Sequence, residues 1–133
     1  MRYFEFACAS NFSFLRGASH PEELMVQADA IGLAGLGLCD RNSLAGVVRP
    51  YVLKRDRELP LRYHPGARLV FSDGTPDILA YPRNRAAWGR LTRLLTVGNR
   101  RADKGDVEQQ HEQGDAANNL DIKPRGLPYC DMI

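Results

Sequence analysis

Cys8, Cys39 and Asp40 are the residues whose types could together do chemistry, because two thiolates and a carboxylate are a possible zinc set. Their arrangement argues against it. The three cysteines, Cys8, Cys39 and Cys130, are odd in number, widely spaced and never in a C-x-x-C pair. That fits neither a zinc knuckle nor a disulfide framework, and it favours a reducing cytoplasm. Buried free cysteine is the better reading of Cys8 and Cys39. The histidines are His20, His64 and His111. His20 precedes Pro21 at a helix start and reads as a capping or surface residue. His64-Pro65 reads as a turn, and His111 lies in an unpatterned tail. No Ser/His/Asp or Cys/His nucleophile set is indicated. Gly32, Gly35 and Gly37 lack the spacing of a phosphate-cradling loop.

The elements that must position these residues are read from periodicity. Tyr3 to Cys8 is aromatic-rich and partly alternating, which predicts a strand. Residues 11–17 form a loop carrying Phe12, Phe14 and Leu15. Ser19-His20-Pro21-Glu22 opens a helix, with Ser19 as cap and Glu22 completing a capping box. Leu24, Ala28 and Ile31 are its expected buried face, and Gly32 suits the left-handed residue that ends it. Residues 33–39, running into Asp40, fit a strand buried on both faces of a parallel sheet, so the unit is βαβ. Leu44, Val47, Val48, Tyr51 and Val52 suggest a second helix, weakened by Pro50. Arg68–Ser72 and Asp77–Tyr81 read as a hairpin around Asp73-Gly74-Thr75-Pro76. Asn84 caps a third helix with a stripe of Trp88, Leu91, Leu94, Leu95 and Val97, closed by Gly98. From about Lys104 the pattern stops, and too few apolar residues recur to offset ordering entropy.

The chain is of one-domain size at 133 residues, and 44% apolar with 26% charged residues is ordinary for a globular protein. No apolar run approaches a membrane span, and no signal peptide is evident. The net charge of +2 conceals an asymmetry, since residues 41–101 hold 13 Lys and Arg against 4 Asp and Glu. A basic middle is suited to phosphate backbones. The plainer reading is an arginine-rich solvated surface, because the sequence shows no aromatic–basic interleaving of the kind that binds single strands.

Two segments carry a family likeness. One is Ala7-Cys8-Ala9-Ser10-Asn11-Phe12-Ser13-Phe14-Leu15-Arg16-Gly17-Ala18-Ser19, followed by His20-Pro21-Glu22-Glu23-Leu24. The other is Asp40-Arg41-Asn42-Ser43-Leu44-Ala45-Gly46-Val47-Val48-Arg49. Together with Trp88–Gly98 they resemble the N-terminal PHP domain of bacterial DNA polymerase III alpha subunits, on the error-prone, damage-tolerance branch. The likeness runs over about residues 1–105, leaving 106–133 as a divergent or disordered tail. It implies an α/β fold: the N-terminal part of a PHP-type distorted (β/α)7 barrel, with a poorly ordered C-terminal tail. Active relatives hydrolyse phosphoesters with clustered metals, which activate water and neutralise phosphate.

Here the ligand positions are degraded. Ala7 and Ala9 stand where relatives carry a His-x-His pair, and Arg16 stands at an aspartate. Arg41 stands at a common histidine. Gly66-Ala67-Arg68 aligns with a Gly-x-Glu, placing Arg68 at the acid. Asp40 alone keeps a family ligand position. Its plainer roles are to cap the next segment or to pair with Arg16 or Arg41. The resemblance therefore implies no catalytic, cofactor-binding or metal residues in this chain, and Mg2+ only for the parent polymerase. The implied partners are DNA and other replication or mutasome proteins through that parent, with weak or no DNA binding by this part and no membrane. A free-standing PHP-type phosphoesterase and a small nucleic-acid-binding module are the alternatives.

Overall fold

A computed structural model describes residues 3–101. Within them one four-stranded sheet has the order β1-β2-β3-β4. The chain runs β1 (Phe4–Cys8), α1 (Pro21–Ala30), β2 (Gly35–Arg41), α2 (Val48–Asp56), β3 (Arg62–Leu69), β4 (Ile78–Ala80) and α3 (Arg85–Arg101). β1, β2 and β3 are parallel, and β4 returns antiparallel to β3. The sheet is curled, as in part of a PHP-type barrel. The expected tail, and the boundary near residue 105, lie outside the described residues.

All three helices cover the same side of this sheet. Leu36 and Tyr63 are register partners, and both pack with Met25 and Ala28 of α1 and Leu53 of α2. Further along β3, Ala67 and Leu69 point the same way by strand alternation. They meet Leu91 and Leu95 of α3, with Ala80 and Phe71. β2 sits at the centre and is buried from Gly35 to Asp40. A strand flanked by two parallel neighbours and a helix layer loses its polar alternation for this reason.

Several local expectations shift. The cap of α1 is His20 rather than Ser19, and Glu23 completes it by accepting from the His20 N–H at 2.9 Å. The buried face of α1 is Pro21, Met25 and Ala28, whereas Ile31 is exposed. Gly32 does take a left-handed φ of 75°, and Leu33 N–H closes back on the Ala28 carbonyl. Pro50 does not weaken α2. It is the third helical residue, where the N–H has no intrahelical partner to lose. Val48 and Tyr51 are exposed, so the inward face of α2 runs through Pro50 and Leu53 instead.

His64-Pro65 is not a turn. It lies within β3, with Pro65 opposite Leu38. β4 pairs only with residues 67–69, so β3 has one neighbour at Pro65 and a proline is tolerated. The hairpin exists, but its first strand starts earlier, at Arg62, and ends at Leu69, its second is cut to Ile78–Ala80, and the connection is longer than expected. Asn84 caps α3 by accepting from Ala87 N–H at 2.8 Å. Gly98 does not close that helix, which continues to Arg101 with Gly98 buried inside it.

The side of the sheet without helices carries aromatics over glycines. A Cβ on Gly35 would lie 2.0 Å from the Phe4 ring, and one on Gly66 would lie 2.5 Å from Tyr81. Gly37 also faces Tyr81, whose hydroxyl donates to the Phe6 carbonyl. Tyr81 thus crosses the sheet from β4 towards β1, over the space that side chains on Gly37 and Gly66 would fill.

Gly66→Ala should therefore lower stability by about 1–3 kcal/mol, because the new methyl meets Tyr81 and the Ala80 carbonyl in a packed layer. Gly89→Ala should do the opposite. No atom lies within 4 Å of that Cβ at its exposed position on α3, so it should gain up to about 1 kcal/mol. Urea melts of the two variants check the pair; equal shifts would contradict the aromatic layer.

Candidate functional site at the strand ends

The resemblance described above leads one to expect metal ligands at the carboxyl ends of β1, β2 and β3. The register brings the corresponding positions to that end: Cys8 lies opposite Leu38, and Arg41 lies opposite Arg68. Ala7 is exposed and Ala9 is half-buried just past β1. Arg16 sits on the β1–α1 loop. Arg68 pairs with Asp77 at 3.6 Å.

Asp40 is the organised part of this end. It is 1% exposed, and it accepts three short hydrogen bonds from one loop. The Ser10 N–H and the Ser13 hydroxyl each lie 2.7 Å from Oδ1, and the Ser10 hydroxyl lies 2.7 Å from Oδ2. Ser13 Oγ also accepts from the Arg41 N–H at 3.0 Å, and Ser10 Oγ accepts from Phe12 N–H at 3.2 Å. A buried carboxylate demands such donors, since losing water without replacement is costly. The space beside Oδ2 is closed as well. A Cβ on Gly46 would lie 3.0 Å from that oxygen, from the Phe12 ring and from Pro21.

Ser10 and Ser13 were not singled out from sequence as partners of Asp40. The signal was present: two serines just past one strand, and an acid at the end of a buried neighbouring strand. Asn42 works similarly. It adopts a left-handed φ of 46°, and its side chain both accepts from Val70 N–H at 2.9 Å and donates to Val70 O at 3.2 Å. It holds the end of β2 to the residue following β3.

The thiols lie in different surroundings. Cys8 packs with the Met25 cluster under the helices. Cys39 is buried and directs Sγ to the Phe6 carbonyl at 3.6 Å, on the aromatic side. Burial pushes the Cys8 thiol from its ordinary 9.0 up to about 11. Burial raises Cys39 and Tyr81 too. His20 is exposed at the α1 cap, and His64 lies on β3 beside Phe4 and Phe6. Among the described residues no three of His, Cys, Asp and Glu converge in a group that could hold a metal. The donor set at the strand ends does not fit a metal cluster: Ala7 and Ala9 lack lone pairs, the three arginines Arg16, Arg41 and Arg68 oppose a cation, and Asp40 is engaged by serines.

Comparisons with known proteins agree with this arrangement of elements. No family model matches the chain. An error-prone DNA polymerase of Mesorhizobium japonicum is 62% identical over 112 residues, covering 83% of this chain and 10% of that protein. Those of Rhodopseudomonas palustris and Rhizobium meliloti are 59% and 58% identical, covering 79% and 77% of this chain and 9% of each protein. The chain thus spans about a tenth of the length of these relatives, and it matches their N-terminal region. A solved structure from Bifidobacterium adolescentis, assigned as a metal-dependent phosphoesterase, superposes with a TM-score of 0.50 at 21% identity. It covers 87% of this chain and 46% of that one, and supports the fold.

Two outcomes follow from the geometry. Asp40→Ala leaves three donors without their acceptor and should cost at least about 3 kcal/mol, at about 1–3 kcal/mol per orphaned buried group. A chelator should leave the melting of the unaltered chain unchanged, and a chelator-induced drop would contradict the serine clamp. The second outcome concerns pH. The folded chain keeps the Cys8 proton to about pH 11, whereas the unfolded thiol loses it near 9.0. The associated stability is present below the lower value and is lost as pH rises through the upper one. Melting temperature should fall across that window, and less steeply in Cys8→Ala.

Proposed function

Because the chain is homologous to the N-terminal region of error-prone DNA polymerases, we propose that it is a PHP module without metal chemistry, serving as a structural or interaction part of such a polymerase. The whole protein would extend primers past damaged template in a cytoplasmic repair role, using Mg2+ held by carboxylates that this chain does not contain. The chain itself would supply no catalytic, cofactor-binding or metal residue. Its contact with DNA and with other replication or mutasome proteins would run through the parent polymerase. Among the described residues no helix is long and apolar enough to cross a membrane.

The observation that carries this reading is the environment of Asp40. It is the one family ligand position that keeps its acid, and three serine-loop donors occupy its oxygens at 2.7 Å. A metal there would have to displace those bonds with no neighbouring ligand to help, since Ala7 and Ala9 offer none and Arg16 and Arg68 repel cations. The same constellation argues against a free-standing phosphoesterase, whose mechanism needs clustered metals.

The expected results are less than one tightly held zinc, manganese or iron per chain by elemental analysis, and no hydrolysis of a phosphoester reporter with manganese or magnesium. Stoichiometric metal, or turnover that disappears in Ser10→Ala and Asp40→Ala alike, would establish the phosphoesterase instead.

A further inference from the structure

We infer that the acidic segment after α3, residues 103–115, associates with the outer face of that helix and shields its arginines from other anions. α3 carries one sign of charge. Its 17 residues include five arginines and no Asp or Glu. Helical spacing sets three of the arginines in one row. Arg93 and Arg100 lie eight and fifteen residues after Arg85, close to two and four turns at about 3.6 residues per turn. All three are exposed, on the side opposite Leu91 and Leu95, which pack on the sheet. The residues between them add no charge. Gly89 has no side chain, and the Thr92 and Thr96 hydroxyls donate to the Gly89 and Thr92 carbonyls at 3.1 and 2.8 Å. This row belongs to the helix layer and points away from the sheet, so further strands joined to the sheet would not cover it.

Elsewhere on the surface, arginines find acids. Arg49 reaches Glu22 at 3.3 Å, Arg55 reaches Asp56 at 2.8 Å, and Arg68 reaches Asp77 at 3.6 Å. Among the described residues Arg85, Arg93 and Arg100 have no such partner. The chain supplies the missing charge directly afterwards. Residues 103–115 carry Asp103, Asp106, Glu108, Glu112 and Asp115 against Lys104. At about 1.5 Å per residue, the row from Arg85 to Arg100 is about 22 Å long. Residues 106–115 span up to about 33 Å, so the segment has the length to follow the whole row.

Charge and covalent linkage select this occupant. A second copy would bring a duplicate arginine row, and like charges facing one another are costly. An apolar partner would leave the guanidinium groups without anions. The acids of residues 103–115 are tethered to the helix, and a short tether acts at an effective concentration in the millimolar range. Exposed pairs that are individually weak then count together. The inference stands on α3 and the residues after it, and it is independent of the polymerase reading.

Paramagnetic broadening in the full chain tests it. A nitroxide on Gln110→Cys, in a Cys130→Ser background with single labelling verified by mass, should broaden the amide signals of residues 85–100 at low salt and spare Phe4–Cys8. At about 1 M salt, where charges are screened within roughly 3 Å, the broadening should vanish. Asp106→Asn, Glu108→Gln and Glu112→Gln together should abolish it, and Arg93→Glu should weaken it, whereas Arg55→Glu on α2 should not. The same triple variant should bind inorganic polyphosphate roughly 3- to 100-fold more tightly than the unaltered chain, the range that three exposed pairs imply. That gain should disappear once Arg85, Arg93 and Arg100 are also changed to Gln. Circular dichroism melts verify that each variant is folded. Absence of broadening on α3 at low salt would overturn the proposal, as would equal broadening of β1. Broadening between a nitroxide-labelled chain and a separate isotope-labelled one would make the contact one between copies and likewise overturn it. An affinity gain that persists without the three arginines would reduce the effect to net charge, with the same consequence.

Discussion

One buried carboxylate organises the end of this sheet. Asp40 closes β2 inside the protein, and three of its hydrogen bonds come from the single stretch Ser10 to Ser13. Satisfying it fixes the path of the β1–α1 loop. The Asn11 N–H then reaches the Ser19 carbonyl at 2.9 Å, closing the loop on itself. Gly17 runs so near the Ser10 carbonyl that a Cβ would lie 2.1 Å from it, so only glycine fits. The same path turns Phe14 and Leu15 outward, and Leu15 takes a left-handed φ of 59°. An unfavourable backbone and two exposed apolar side chains are tolerated where a buried charge has its donors.

The rest of the architecture follows from keeping the helices on one side. Their apolar residues need the face formed by Leu36, Tyr63, Ala67 and Leu69. Among the described residues no helix lies on the other face, and the chain covers part of it with its own rings, Phe4 over Gly35 and Tyr81 over Gly37 and Gly66. Large residues from the outer strands thus fill the room left by small residues on the inner ones. Among the described residues, β1 and the three-residue β4 are the boundaries of the sheet.

Much of this was legible in the residues. The βαβ start, the buried β2, the left-handed Gly32 and the Asn84 cap each rest on local chemistry that the fold preserves. The misplacements share a cause. The amphipathic faces of α1 and α2 were assigned from spacing alone, and tertiary packing chose Met25 over Ile31 and Pro50 over Tyr51. His64-Pro65 carries a turn signal, yet a strand with one neighbour at that point accepts a proline. At the strand ends, the retained Asp40 was visible, but its serine partners lie some thirty residues upstream, and only strand pairing makes them neighbours. The helix-free face is the extreme case, because its aromatics belong to strands that local patterns cannot bring together.

β1 advances three residues, from Glu5 to Cys8, while β2 advances two, from Leu36 to Leu38. That bulge puts Phe4 and Phe6 on the helix-free face and Cys8 under the helices, although all three share one parity in the sequence. The strand therefore changes phase midway, and the irregularity acts as a reading-frame boundary written in geometry. Straightening it while keeping every residue would turn everything on one side of it over: the thiol would enter the ring layer, or the rings would enter the helix layer. An alignment of this strand with an unbulged one that omits a one-residue gap at the bulge would thus equate residues from opposite faces. The strand's apparent alternation is a poor guide to which of its positions can be exchanged.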